Sequence, residues 1–234
     1  TFYMILSLPA TAMGFALSIQ ISALSWILST QLGLDIHEVG IVWAAGPLAG
    51  IFGQVIIGLI SDSVWFWGGR RRPFIIIGGI IAALMLLALP NIKLIYESFG
   101  IGSLIVVATI IALTLDLAIN ISFNPTRSII ADITPEGPMR TKGYTWMQTI
   151  SGFFGVLAYI IGATLGNYVL IYVGVFIVAA FSLLPLFIIT EPRNLSTNEA
   201  KNQDEKSSGT EWSQLIRLYF AHAFSWVGVQ TMFV

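Results

Sequence analysis

The sequence contains no cysteine, which excludes disulfides, metal thiolates and thiol redox chemistry and leaves the compartment open. It is also poor in charge. Asp, Glu, Lys and Arg make up 10% of its 234 residues, against roughly a quarter in an ordinary soluble domain. There are only 2 histidines, and HExxH pairs, nucleophile elbows and phosphate-cradling loops are all missing, so enzyme readings have no footing. No cofactor, metal or nucleic-acid partner is expected.

What remains is 56% hydrophobic, with 22 glycines. A bilayer core about 30 Å thick needs roughly 20 mostly apolar residues per helix, at about 1.5 Å each. Seven such runs are present, at 3–30, 39–61, 74–90, 101–125, 143–167, 169–190 and 213–234. They are continuous and lack the ten-residue alternation of a barrel, so an all-α integral membrane protein is predicted. The first run has no basic leader and no small-residue cleavage site, and it reads as a span.

If the connections alternate sides, Arg70, Arg71, Arg72, Arg140, Lys142, Arg193, Lys201, Lys206 and Arg217 share one face, while Lys93 lies on the other and Arg127 lies within or near a span. The positive-inside rule makes that face, with the N-terminus and the Arg-rich loops, cytoplasmic in a plasma or inner membrane. The opposite connections are short, chiefly Gln31–Glu38 and Asn91–Gly100. The longest inner one, EPRNLSTNEAKNQDEKSSGTEW, is polar and without apolar periodicity. Three parts follow: a six-helix bundle at 1–190, a linker at 191–212, and a seventh helix at 213–234 that starts a second bundle. The chain is expected to be the first part of a longer, two-bundle transporter.

Glycines at 46, 50 and 53, and again at 152, 155 and 162, recur at helical spacing and fit close helix packing. In the fourth run, LTLDLAINISFNPTRSIIADITPEG places Asp116, Asn120, Asn124 and Arg127 within roughly 80° of one helix face, at about 100° per residue. An ionisable group at membrane depth faces a cavity or a partner, and marks an ion or substrate path by default. Burial and a neighbouring cation act on such a carboxyl in opposite senses, so Asp116 near a cation such as Arg127 is switchable and suits proton coupling. Pro125, between them, is expected to disrupt the helix.

A hydroxyl stripe, Thr11, Ser18, Ser22, Ser25 and Ser29, runs along the first span with Gln20 nearly opposite. It reads equally as packing or as polyol binding. Polarity and depth nominate Gln20, Gln54, Asn120, Asn124 and Gln148 as sugar contacts, and Trp26, Trp43, Trp146 and Tyr159 as stacking faces. His37 lies in the first outer loop.

The segment GLISDSVWFWGGRRRPFI, with Gly58, Asp62, Gly69, Arg70, Arg71 and Arg72, resembles the loop motif between helices two and three of the major facilitator superfamily, roughly G-x3-D then G-R-R. Six residues separate Asp62 from Gly69 where the generic motif has two. That insertion, the third arginine and Pro73-Phe74, together with IVWAAGPLAGIFGQVIIG, LDLAINISFNPTRSIIAD and FSWVG, are similar to the sucrose-transporter branch of the glycoside-pentoside-hexuronide:cation symporters. The resemblance implies a twelve-helix fold with alternating access, proton coupling at Asp116 and Arg127, substrate access near His37, and a cytoplasmic gate built from Asp62 and the arginines. Its partners would be a disaccharide or related glycoside, a proton or sodium ion, the lipid bilayer and a C-terminal bundle. Sodium-coupled or uncoupled transport of another solute, and a non-transporting membrane sugar sensor, remain as alternatives.

Overall fold

A backbone surrounded by hydrocarbon has to satisfy its own N–H and C=O groups, and an α-helix does this within one segment. In the computed structural model the apolar runs are helices. Residues 2–100, 102–189, 191 and 212–231 are described, without the side chains at 45, 47–49, 51, 52, 54, 55, 58, 62, 63, 186, 222 and 226–231. The elements are α1 (Phe2–Ile19), α2 (Ile36–Ser63), α3 (Arg72–Ala88), α4 (Ile92–Phe99), α5 (Leu104–Ile133), α6 (Pro138–Leu165), α7 (Asn167–Ile188) and α8 (Trp212–Thr231). Five segments, Phe2–Gln31, Arg72–Phe99, Leu104–Ile133, Pro138–Leu165 and Asn167–Pro185, are long and apolar enough to cross a membrane. The chain divides into two units, Thr1–Pro192 and Arg193–Val234. Of the hydrophilic linker expected at 191–212, all but Glu191 and Trp212 lies outside the described residues.

Local chemistry sets most helix ends. Asp35 and Glu38 form a reciprocal capping box at the start of α2, with Glu38 N donating to Asp35 Oδ1 at 2.8 Å and Asp35 N to Glu38 Oε2 at 2.9 Å. Ser103 caps α5, and prolines open α3 and α6, where a missing N–H is harmless. Gly166 alone separates α6 from α7.

Two connections and one helix interior differ from expectation. α1 continues through π-helical turns at Gln20–Leu24 and Ile27–Gln31, so the loop expected at 31–38 is shorter than predicted, and His37 lies in the first turn of α2. The 91–100 loop is largely helix: α4 is amphipathic, buries Ile92 and packs on α5, and a 3-10 turn at Leu89–Asn91 joins it to α3. α5 runs unbroken through Pro125, which is buried. The proline removes only the donor that would meet the Ile121 carbonyl, and the surrounding packing holds the helix.

α1 is the centre of the first unit and packs on α5, α6 and α7, while α2 packs on α5 and α3 on both α5 and α7. Ala12, Met13, Phe15, Ala16 and Ile19 are fully buried, and Phe15, Phe154 and Phe181 form an edge-to-face series. Close approach between backbones drives packing where lipid is as apolar as leucine. Gly78 shows the consequence, since a Cβ there would lie 2.7 Å from the Ala118 carbonyl and 2.8 Å from Ser122 Cβ.

Candidate functional site

α2 and α5 meet along the glycine face expected from the sequence. A Cβ on Gly46 would lie 2.8 Å from Asp116 Oδ2, and one on Gly53 would lie 3.3 Å from Asn120 Cβ and 3.4 Å from Leu117 Cδ2. Gly50 is looser, with Asn120 Nδ2 at 3.9 Å. The glycines therefore do pack helices, and what they pack against is the polar stripe of α5. A side chain at 46 would displace the Asp116 carboxyl from its position.

Asn120 Nδ2 donates to the Asp116 backbone carbonyl at 2.8 Å. Across from α5, Gln20 faces Asp116 from the first π-helical turn of the first span. Gln20 is 1% exposed, and among the described residues its amide makes no hydrogen bond of normal length, the Asp116 carboxyl being the polar group it faces. A buried amide short of full hydrogen bonds is costly, typically about 1–3 kcal/mol for each unmade bond, and such groups call for an explanation in binding or in a second state. The π-turn that seats Gln20 is itself a distortion found often at functional sites. Gln20, Asp116 and Asn120 thus converge, with Asn124 one turn further along α5.

Arg127 is separate from this group. It sits eleven residues beyond Asp116, about 16 Å along the helix axis, on an exposed part of α5. Its guanidinium lies 4.3 Å from the centre of the Phe123 ring, and its backbone carbonyl accepts from Tyr144 at 3.2 Å. Gln148 is exposed on α6, and the Gln54 side chain lies outside the described residues. His37 is exposed.

The hydroxyl stripe of the first span is used internally. Ser18, Ser22 and Ser29 donate to the carbonyls of Gly14, Ser18 and Ser25 at 3.0, 2.8 and 2.7 Å, and Thr11 donates to Ser7 at 2.9 Å. Gly155 of α6 rests 3.6 Å from Ser18 Oγ by its Cβ position, so this face packs helices. Ser25 differs, because it accepts from Trp43 Nε1 at 2.9 Å. Nearby, Trp26 meets Tyr168 edge-to-face at 5.3 Å, and the Tyr168 hydroxyl donates to Gln31 at 3.1 Å. Trp146 lines a groove of about 710 Å³ on α6 with Pro138, Thr141, Lys142, Thr145 and Thr149. Tyr159 is exposed.

The arginine row forms a second cluster. Asp132 Oδ2 receives Arg70 Nη2 and Arg71 Nε, each at 3.2 Å, and Arg71 Nη1 donates to Ser61 Oγ at 2.9 Å. The Asp132 side chain is only 8% exposed and that of Arg71 9%. Glu191, just past α7, accepts the backbone N–H groups of Arg70, Arg71 and Arg72 at 2.6, 3.0 and 2.8 Å, so one carboxylate caps the start of α3. Gly69 is buried against it. Asp132 and Glu191 were not singled out in the sequence, where their signal is faint: each is a lone acid where a span meets the arginine face. The surroundings of Gly58 and the Asp62 side chain lie outside what the structure describes. Arg140 closes the adjoining corner by donating to the Ala131 and Thr134 carbonyls at 2.9 and 3.2 Å.

Comparison with known proteins places this arrangement. Over 138 residues the chain is 35% identical to the general alpha-glucoside permease of Schizosaccharomyces pombe, covering 56% of this chain and 25% of the permease. It is 30% identical over 168 residues to sucrose transport protein SUC4 of Arabidopsis thaliana, covering 68% and 32%. For sucrose transport protein SUT2 of Oryza sativa subsp. indica the figures are 30% over 171 residues, 68% and 34%. The matches thus span a quarter to about a third of these relatives' lengths. The sequence profile of the Major Facilitator Superfamily matches residues 6–234. A helical chain with several membrane-length spans and this arginine loop belongs to the Major Facilitator Superfamily, and within it resembles the sucrose-transporting branch.

Proposed function

We propose that the chain is the N-terminal bundle, with the seventh helix, of a secondary transporter that moves a disaccharide or related glycoside by alternating access, coupled to protons through Asp116. The observation that carries this reading is the ionisable Asp116 carboxyl held at membrane depth against the Gly46 backbone, with the buried Gln20 amide facing it. A carboxyl that exchanges a proton as its surroundings change couples the proton gradient to helix movement, and a nearby amide can donate to its ionised form or accept from its protonated form. Asn120, Asn124, Gln148 and Gln54 are the proposed sugar contacts. Trp26, Trp43, Trp146 and Tyr159 are proposed stacking faces, and His37 a residue of the substrate entrance. The names of the relatives supply the sugar class.

Arg70, Arg71, Arg72, Asp132 and Glu191, with Gly58, Asp62 and Gly69, form the proposed gate on the cytoplasmic side. Their contacts tie the ends of α2, α5 and α7 to the start of α3 in one state. Arg127, unpaired with Asp116 in this arrangement, is the proposed second coupling residue for a state in which the helices have moved.

The test is uptake of radiolabelled sucrose and maltose into vesicles holding the full-length protein, with and without an inward proton gradient and with sodium exchanged for potassium. Accumulation that collapses with a protonophore and ignores sodium is expected. Sodium dependence would move the coupling to that ion. Saturable sugar binding without flux would replace transport by sensing.

A further inference from the structure

The inserted residues between Asp62 and Gly69 have no role in the proposed gate, and they fold into a distinct object. Phe66 and Gly69 exchange backbone hydrogen bonds of 3.1 and 3.2 Å, closing a tight turn. Trp67, at its tip, has φ +49°, the one positive φ at a non-glycine position among the described residues. A bulky residue held in the left-handed region costs of order 1 kcal/mol or more and persists only where the surroundings enforce it. Here Phe66 turns inward and packs edge-to-face on Phe74 of α3 at 5.6 Å, while the base of the turn is pinned by the Glu191 carboxylate at Arg70 to Arg72. With Phe66 in, both neighbours point out. Trp67 is 69% exposed and Trp65 38%.

These indoles do not stand alone. Ile56, Leu59 and Ile60 are exposed at helical spacing along the end of α2, and exposed Val64 follows it, so one apolar stripe runs from that helix end to the tryptophans. The apolar run of α3 begins at Phe74, immediately beyond the arginines. A turn between an apolar helix end and the start of an apolar span suits the level where hydrocarbon gives way to water, which a side chain with an apolar body and one N–H donor prefers.

We infer that the Trp65–Trp67 turn is an anchor seated in the phospholipid headgroup layer, and that it fixes the depth of the Arg70–Arg72 row against the bilayer. The occupant of the exposed face is lipid, since the stripe continues an apolar helix surface and ends in amphipathic side chains. The inference depends on the membrane placement of α3 and is independent of sugar transport.

The test uses the full-length protein in vesicles of mixed phosphatidylcholine and phosphatidylglycerol. Tryptophan emission of the wild type minus that of Trp65→Phe/Trp67→Phe isolates the two indoles. Quenching of that difference by lipids brominated close to the glycerol is expected to exceed quenching by lipids brominated near the chain ends by roughly threefold, with weak quenching by aqueous acrylamide. Strong acrylamide quenching without lipid quenching would put the turn in water. Resistance to both quenchers would mean that protein covers it. Either result overturns the anchor, and neither bears on whether the protein transports sugar.

Discussion

Gly46 and Asp116 are so close that a single added methyl group would fall 2.8 Å from the carboxylate oxygen. Gly46→Ala should therefore push α2 from α5 or rotate Asp116, at a cost of about 1–3 kcal/mol for overpacking. Proton-driven uptake is expected to fall at least roughly tenfold. Gly50→Ala, whose nearest neighbour lies at 3.9 Å, should retain most of it. Equal loss in both variants would show that Asp116 placement is not what the first glycine protects.

Asp116→Asn keeps the size and the packing of the side chain and removes the exchangeable proton. Accumulation against a gradient should be lost while bound sugar still exchanges across the membrane. Counterflow and active uptake, measured on the same vesicles, separate the two. Undiminished accumulation would remove Asp116 from coupling.

Asp132 holds two guanidinium groups on one oxygen, in a side chain that is 8% exposed. Removing the buried carboxylate takes one charge-assisted partner from each guanidinium, at a cost of roughly 1.5–3 kcal/mol. Asp132→Ala should lower thermal stability in detergent and move the distribution of spin-label distances between the two bundles toward the inward-facing state. Arg70→Ala/Arg71→Ala should move it the same way. An unchanged distribution in both would leave the cluster structural.

Glu191→Gln replaces a charge-assisted acceptor of three backbone N–H groups by a neutral amide. Loss of a charged cap is worth about 1 kcal/mol, rising toward 2 when partly buried, so a drop of a few degrees in Tm is expected. Lys93→Gln, far from that cap, is the control.

Ser18→Ala and Ser22→Ala test the first-span stripe. Their hydroxyls already donate to carbonyls of their own helix. The apparent KM for sugar should stay within about twofold of wild type, since no polar contact to substrate is removed. A large rise in KM would return the stripe to the binding site.

Asp116, Asn120 and Asn124 could be grouped from the sequence because helical periodicity alone puts them on one face. The two acids that engage the arginines were not legible. Asp132 and Glu191 lie about sixty and a hundred and twenty residues from Arg71 along the chain, and only folding brings them within hydrogen-bond distance. Gln20 was legible as a polar residue at membrane depth, and its placement against Asp116 was not. That depends on a π-helical turn, which no residue pattern in ALSIQISALS announces.

Length, hydropathy and residue spacing, which act locally, were enough for the membrane class, the helical character of the apolar runs and the shared face of Asp116 and Asn120. The tertiary structure alone decided which carboxylates neutralise Arg70 and Arg71, that α2 packs its glycines on Asp116, and that Trp65 and Trp67 face outward. Those are properties of helix against helix, set by close packing between segments distant in the chain.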